Sequence, residues 1–180
     1  MSLTSPLSRR SFIARSAASL VVLAADPVLA AAPAGAPADT ARREELKPPP
    51  LPAPLVKEFV GAAHGNLDRT RELLGNEPGL LNATWDWKAG DFETGLGGAG
   101  HMGRRDIALH LIGQGARLDL FVAAMLGELA IVKAILDFDP KLAASKGPHG
   151  IPLLAHAKAG GEKAAAVLEY LERLAKDARG

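Results

Sequence analysis

One short pattern recurs four times in the second part of the chain, and it constrains the fold more than any other feature. From residue 55 onward, a stretch of small residues ends at a marker glycine, and a run with apolar residues follows. The four marker glycines are Gly65, Gly103, Gly127 and Gly160. A unit of this kind repeated in series predicts small helical elements that stack on their neighbours and share one core.

Apolar residues return at helical spacing after each marker glycine. They include Ile107 and Leu111 in the second unit, and Ile135 and Leu136 in the third. Spacings of three and four residues predict amphipathic helices that bury one stripe. We therefore expect Ile135 to be buried between units. We also expect each marker glycine to end a helix in the left-handed conformation.

Two strings carry a resemblance to a known family. Residues 150–157 read G-I-P-L-L-A-H-A, and residues 115–119 read G-A-R-L-D. They resemble the T-P-L-H-x-A opening and the G-A-D-x-N ending of ankyrin repeats, whose period is about 33 residues. The resemblance covers about residues 55–172 and implies an all-α solenoid of about four helix-turn-helix units. Residues 161–176, rich in alanine and then charged, resemble its helical C-terminal cap.

The spacing of the marker glycines predicts irregular loops. The interval from Gly65 to Gly103 is longer than one ankyrin period, and the interval from Gly103 to Gly127 is shorter. The loop between the first two units is therefore expected to be enlarged. The connection between the second and third units is expected to be short and to lack a projecting hairpin.

Charge and composition exclude several classes of function. The chain has 21 Lys and Arg residues against 20 Asp and Glu residues, a formal net charge of +1. A nucleic-acid-binding surface needs a strong basic excess, so no nucleic-acid partner is expected. The absence of cysteine excludes disulfides, thiolate metal sites and cysteine nucleophiles.

Residues 1–30 are predicted to be an export signal. Arg9, Arg10 and Phe12 precede a short apolar run and then small residues, the order of a signal peptide. The arginine pair followed by Phe12 resembles the twin-arginine (Tat) signal, which implies a periplasmic or secreted protein. An ordinary secretory signal and an uncleaved anchor are the alternatives. The apolar run is too short for a stable membrane span.

Residues 31–54 are predicted to be a linker, ahead of a domain at residues 55–176. Seven of the 13 prolines lie in this segment, so an extended spacer is expected. A proline-rich stretch of this kind is also able to dock on an aromatic groove, which is the alternative.

The five histidines show no metal-binding motif in the sequence. They are His64, His101, His110, His149 and His156, and none forms an H-x-x-x-H or H-E-x-x-H pattern. Since short ligand spacing is the usual sign of a metal site, none is predicted. His64 and His101 both precede a marker glycine. These equivalent positions predict a structural role at the turns.

The string from Gly95 to Gly100 matches G-x-G-x-x-G, a pattern of dinucleotide-binding loops. That function needs a hydrophobic strand directly before the glycines, and the preceding residues do not form one. The register of the repeats instead places these glycines in the first helix of the second unit. We therefore expect no nucleotide and no cofactor. Glycine in that helix permits a close approach of a neighbouring repeat or of a partner.

Both tryptophans lie in the enlarged loop, and aromatic residues on loops are frequent anchors of protein interfaces. If the loop is extended there, the two indoles point the same way and the charges between them point the other way. Packing against the edge of the domain is the alternative role for the rings. The predicted partner-binding residues are Trp85, Asp86, Trp87, Phe92, Glu93, His101 and Arg104.

The carboxylates of the same loop also raise the question of catalysis. Asp86, Asp91 and Glu93 lie close enough in sequence to form an acid–base pair, but we expect them to be solvated. The resemblance implies a non-catalytic, monomeric adaptor in the cell envelope that binds a protein, with no catalytic residue and no metal. The alternative is a small enzyme or ligand-binding protein with its site between Trp85 and Glu93.

Overall fold

A computed structural model describes residues 48–177 of the chain. The predicted export signal, including Arg9, Arg10 and Phe12, lies outside the described residues, as does the linker from residue 31 to residue 47. Residues 48–52 have no regular secondary structure. The first helix begins at Ala53, two residues before the predicted start of the domain.

The described part is mostly helical, as the sequence predicts. Helices begin where a side chain satisfies the free N–H groups of the first turn. Asn66, Thr94 and Asp119 each accept such a hydrogen bond, from Arg69, Gly97 and Val122. The eight α-helices of this part are α1 (Ala53–Ala63), α2 (Leu67–Asn76), α3 (Gly95–His101), α4 (Arg105–Gly113), α5 (Leu120–Leu126), α6 (Leu129–Phe138), α7 (Leu153–Ala159) and α8 (Ala165–Asp177).

The enlarged loop between α2 and α3 contains a small β-hairpin. Strands β1 (Thr84–Asp86) and β2 (Phe92–Thr94) pair antiparallel, with Trp85 opposite Glu93. Because side chains alternate across a strand, Trp85 and Glu93 lie on one face, and Asp86 and Phe92 lie on the other. The connection between α4 and α5 is short and carries no such hairpin. Both loop lengths follow the prediction.

The helices pack in a regular order. Helix α1 contacts α3, α3 contacts α5, and α5 contacts α7, while each of these four also contacts the helix that follows it in the chain. Two hydrophobic clusters result. The first lies mainly among α1 to α4 and the second among α5 to α8. Four short 3₁₀ turns complete the described chain: Pro78–Asn82, Pro140–Ala144, Pro148–Gly150 and Gly161–Ala164.

Two expectations about individual residues need correction. Ile135 is only half-buried, because α6 directs Val132 and Leu136 into the core instead. The left-handed conformation occurs at Gly103 and Gly127 but at neither of the other two marker glycines. After α7 it is the following glycine, Gly161, that has a positive φ. A glycine at a helix end thus does not by itself specify the left-handed conformation.

None of the described helices has the length and apolar character needed to cross a membrane.

Candidate metal centre

Four side chains from distant parts of the chain converge on one point. They are His64, Glu93, His101 and His149, and each offers one nitrogen or oxygen atom within 4.8 Å of the other three. Nε2 of His101 lies 3.1 Å from Nε2 of His64 and 3.0 Å from Oε1 of Glu93. The Nε2 atoms of His64 and His149 lie 3.2 and 3.3 Å from Oε2 of Glu93. Three imidazoles and a carboxylate form a donor set that transition metals bind.

These residues lie at or just after the end of a helix, in the hairpin, or in a turn. His64 follows the last residue of α1, and His101 is the last residue of α3. Because α1 packs against α3, these equivalent positions of neighbouring units become neighbours in space. Glu93 is the central residue of β2, and His149 lies in the turn before α7. The tertiary structure therefore brings the ends of two helices, the hairpin and a later turn to one centre.

The backbone determines which nitrogen of His64 faces the centre. Nδ1 of His64 lies 2.9 Å from the carbonyl oxygen of Val60. A carbonyl oxygen only accepts a hydrogen bond, so Nδ1 carries the hydrogen and donates it. In the neutral ring, Nε2 is then left with a lone pair that points at the other three donors. This is how histidine ligands of metals are commonly oriented.

Asp91 orients His149 in the same way. Its Oδ2 atom accepts from Nδ1 of His149 at 2.8 Å, and its Oδ1 atom accepts from the His149 backbone N–H, also at 2.8 Å. These contacts hold His149 at a φ of 58°, a value uncommon for any residue with a side chain. Backbone strain of this kind occurs mostly where the surroundings impose it, and often at functional sites. The lone pair of Nε2 again points at Glu93.

Glu93 lies at the buried side of the centre, with 1% of its surface exposed. Its Oε2 atom accepts a hydrogen bond of 2.6 Å from Nε1 of Trp87. Its Oε1 atom is the one buried side-chain polar atom among residues 48–177 without a hydrogen bond of good geometry, although Nε2 of His101 is close. A buried oxygen without a partner is costly, so this atom is available for a ligand. The expectation that Glu93 is solvated is wrong.

The electrostatics favour a positive charge at this centre. Burial by itself would raise the pKa of Glu93, but the side chains of His101, His64 and Trp87 stabilise the ionised form and hold that pKa well below its usual range. The Glu93 carboxylate in turn raises the pKa of His64, against the opposing effect of burial. Either a proton or a metal ion supplies the charge that Glu93 stabilises.

Several of the donor atoms lie at separations typical of a metal site. With bonds of about 2.1 Å, adjacent donors lie about 3.4 Å apart in a tetrahedron and about 3.0 Å apart in an octahedron. The four contacts measured between donor atoms lie between 3.0 and 3.3 Å. With one donor atom taken from each residue, all four lie within 4.8 Å of one another, so the cluster approaches the dimensions of a metal-binding cage.

Two of the four glycines of α3, Gly98 and Gly95, have a packing role. A Cβ atom on Gly98 would lie 2.7 Å from Cε1 of His64, and one on Gly95 would lie 2.9 Å from Cε1 of Phe59. Both distances are too short for a real side chain, so these positions need glycine. The G-x-G-x-x-G string therefore lies in the helix that the repeat register predicted. Gly98 makes room for the His64 ring at the centre.

The predicted partner-binding residues fall into three groups. Glu93 and His101 are donors of the centre, and Trp87 supports it. Trp85 and Trp87 are half-buried and both pack against the first hydrophobic cluster, the arrangement that was the alternative to an interface. Three of the predicted residues lie farther out, and Phe92 among them is 62% exposed. The carboxylate of Asp86 accepts a hydrogen bond from the backbone N–H of Gly90. Arg104 donates hydrogen bonds to the carbonyl oxygen of Gly65 and to the carboxylate of Asp106.

Two histidines lie apart from the donor set. His110 lies on α4. His156 is buried in α7, and its Nδ1 atom donates to the carbonyl oxygen of Pro152 at 3.1 Å. Burial lowers the pKa of His156, which keeps it neutral. His110 therefore offers a natural control for the histidines of the centre, whereas the ring of His156 lies 6.5 Å from that of His101.

The spacing rule missed the centre because its four members span residues 64 to 149 with no short motif among them. One signal was present in the sequence. His64 and His101 hold equivalent positions, and equivalent positions of stacked units become neighbours. Neither the burial of Glu93 nor the position of His149 was accessible from the sequence.

Comparison of the chain with protein-family models, with curated proteins and with solved structures gives no match. The function is therefore argued from the geometry of the centre.

Proposed function

We propose that this protein binds a divalent transition-metal ion through His64, Glu93, His101 and His149. The observation that carries the proposal is the convergence of lone pairs. Backbone and carboxylate partners hold the hydrogens of His64 and His149 on Nδ1, so that their Nε2 lone pairs face a buried carboxylate. Electron-rich atoms at such short separations repel one another unless a proton or a metal ion lies between them.

The donor chemistry selects the class of metal. Imidazole nitrogen suits zinc, iron, nickel and copper, whereas calcium and magnesium prefer oxygen donors alone. Three nitrogens and one carboxylate therefore favour a transition metal of the zinc type. Zinc is the appropriate first probe, because it has no redox chemistry and accepts tetrahedral geometry.

The direct test is metal binding by the full chain with any affinity tag removed. We expect one zinc ion per chain after dialysis, measured by elemental analysis. Replacing a ligand in His149→Ala should weaken zinc binding by at least about 100-fold in calorimetry, the upper end of what loss of an outer-shell partner alone produces. Asp91→Asn removes only the partner that orients His149, so it should weaken binding by about 10- to 100-fold.

His110→Ala is the matched control, because His110 lies outside the centre and should leave zinc binding unchanged. Equal affinity in His149→Ala and in the wild type would show that zinc binds elsewhere on the chain, and no zinc binding by the wild type would show that protons hold the cluster together. The proposal would then be abandoned.

A second proposal concerns the scaffold. We propose that the chain is an exported helical-repeat module of the ankyrin type that also binds a protein partner. The order of packing, α1 on α3 on α5 on α7, supports it, as does the exposed Phe92 ring on the outer face of the hairpin. An adaptor without a ligand would not change its thermal stability with zinc. The same measurement therefore separates a pure adaptor from a metal-binding protein.

Substitution of the arginine pair tests the proposed export. Changing both Arg9 and Arg10 to Lys should leave the precursor in the cytoplasm, because the pair is the address that the Tat translocon reads. Fractionation of cells followed by immunoblotting measures the distribution. Normal export of the double variant would exclude the Tat route and leave an ordinary secretory signal as the explanation.

A further inference from the structure

The two halves of the centre differ in their access to solvent. The side chains of Glu93 and His101 are 0% and 8% exposed, whereas those of His64 and His149 are 23% and 33% exposed. The carboxylate and one imidazole thus form the floor of the centre. The other two imidazoles stand at its outer rim. A metal ion held by all four has one side that faces the protein and one side that faces solvent.

Trp87 completes the rim. The ring centroids of Trp87, His64 and His149 form a nearly equilateral triangle with sides of 5.9, 6.0 and 6.4 Å. The indole N–H already donates to Glu93, so Trp87 presents an apolar ring, not a competing donor, on this side. No described residue beyond the four donors belongs to the cluster of candidate ligands. The protein therefore supplies four donors and leaves the outer side to a ligand from solution.

The number of donors is consistent with an open position. One oxygen of Glu93 is engaged by Trp87, so the carboxylate counts as a single ligand. Four protein donors fall short of the five or six that cobalt, nickel and iron accept, and even zinc expands to five in reactive sites. A structural zinc site is closed by four protein ligands, so an open position here requires an ion that accepts a fifth ligand.

The charge balance indicates which ligand enters. A divalent ion with the neutral imidazoles and the Glu93 carboxylate carries a net charge of about +1. Asp91, the next carboxylate, is committed to His149 through both of its oxygens. The rim itself contributes two imidazoles and an indole but no anion. A small monovalent anion, hydroxide included, is the ligand that neutralises this centre.

We infer that the metal ion of the proposed centre keeps a coordination position open on the side of His64, His149 and Trp87, and that this position binds a small monovalent anion. The inference rests on the proposed metal-binding function. A metal ion with an exchangeable ligand acts as a Lewis acid and activates bound water, which a buried structural ion does not do.

The test uses the full chain loaded with cobalt(II), because the visible ligand-field bands of this ion report its coordination. When cobalt(II) binds, we expect visible bands typical of an ion in a low-symmetry environment of nitrogen and oxygen ligands. Azide should then shift these bands along a saturable curve with one azide per cobalt. Perchlorate at the same ionic strength coordinates weakly and should leave the spectrum unchanged. His110→Ala should respond to azide as the wild type does.

The outcomes distinguish failure of the open coordination position from failure of metal binding itself. If cobalt bands form but azide leaves them unchanged, the ion is coordinatively closed, and the open position is wrong while the metal-binding proposal stands. If no cobalt bands form and zinc fails to bind as well, the proposed function is wrong. The inference of an open position is then wrong too, because it rests on that function. Equal shifts with azide and perchlorate would reveal a salt effect and would also overturn the inference.

Discussion

Excess zinc should raise the melting temperature of the full chain by about 10 °C or more. Binding to the native state alone stabilises it by about 2.7 kcal/mol when free metal is 100 times its dissociation constant. Each kcal/mol shifts the midpoint of a domain of this size by several degrees. Differential scanning calorimetry or fluorimetry measures the shift, and a chelator should reverse it.

A large rise in melting temperature is expected because the metal centre connects the two hydrophobic clusters. His64, Glu93 and His101 are attached to the elements of the first hydrophobic cluster, whereas His149 precedes α7 in the second. A metal ion joins these parts by direct bonds. Without metal, packing and polar contacts such as Asp91–His149 and Arg105–Leu126 join them. Metal binding and folding are coupled wherever ligands are distant in sequence.

The histidine variants provide the control for this stabilisation. His149→Ala should abolish the response to zinc, and His110→Ala should retain it in full. A rise in melting temperature of equal size in His149→Ala would place the zinc elsewhere on the chain. No rise in the wild type would favour the pure adaptor over the metal-binding protein.

Replacing Gly127 with alanine should lower the free energy of unfolding by at least about 2 kcal/mol. Gly127 ends α5 with a φ of 78°, and a side chain in the left-handed region costs about 1–2 kcal/mol. A Cβ atom there would also overlap the carbonyl oxygen of Lys163, which belongs to the turn before α8. That clash is with backbone and cannot be relieved by rotating a side chain. Urea unfolding followed by circular dichroism measures the loss.

Gly75→Ala is the matched control for this change. Gly75 lies in α2, and nothing lies within 4 Å of the position its Cβ would take. Alanine is the better helix former, so this variant should be as stable as the wild type or more stable by up to about 1 kcal/mol. Similar effects of the two substitutions would mean that the turn at Gly127 tolerates a side chain.

Features of local origin were predictable from the sequence. The alternating character of residues 85–88 placed both indoles on one face, and the structure packs both against the first cluster. The intervals between marker glycines predicted the enlarged loop and the short connection, but not the two-stranded hairpin that the enlarged loop forms. Helical periodicity placed Leu136 and Ile135 on α6 but did not decide which of them the neighbouring helices cover.

The candidate metal centre depends on contacts that no local rule describes. Within the sequence, Glu93 is an acidic loop residue and His149 is a histidine between a proline and a glycine. Their roles arise because α1 packs against α3, because the hairpin turns Glu93 inward, and because Asp91 holds His149 over it. Helix periods and turn residues act over a few positions, and the sequence by itself therefore determined the helices and their loops. The burial of one carboxylate and the meeting of three imidazoles were decided by long-range packing, which only the tertiary structure contains.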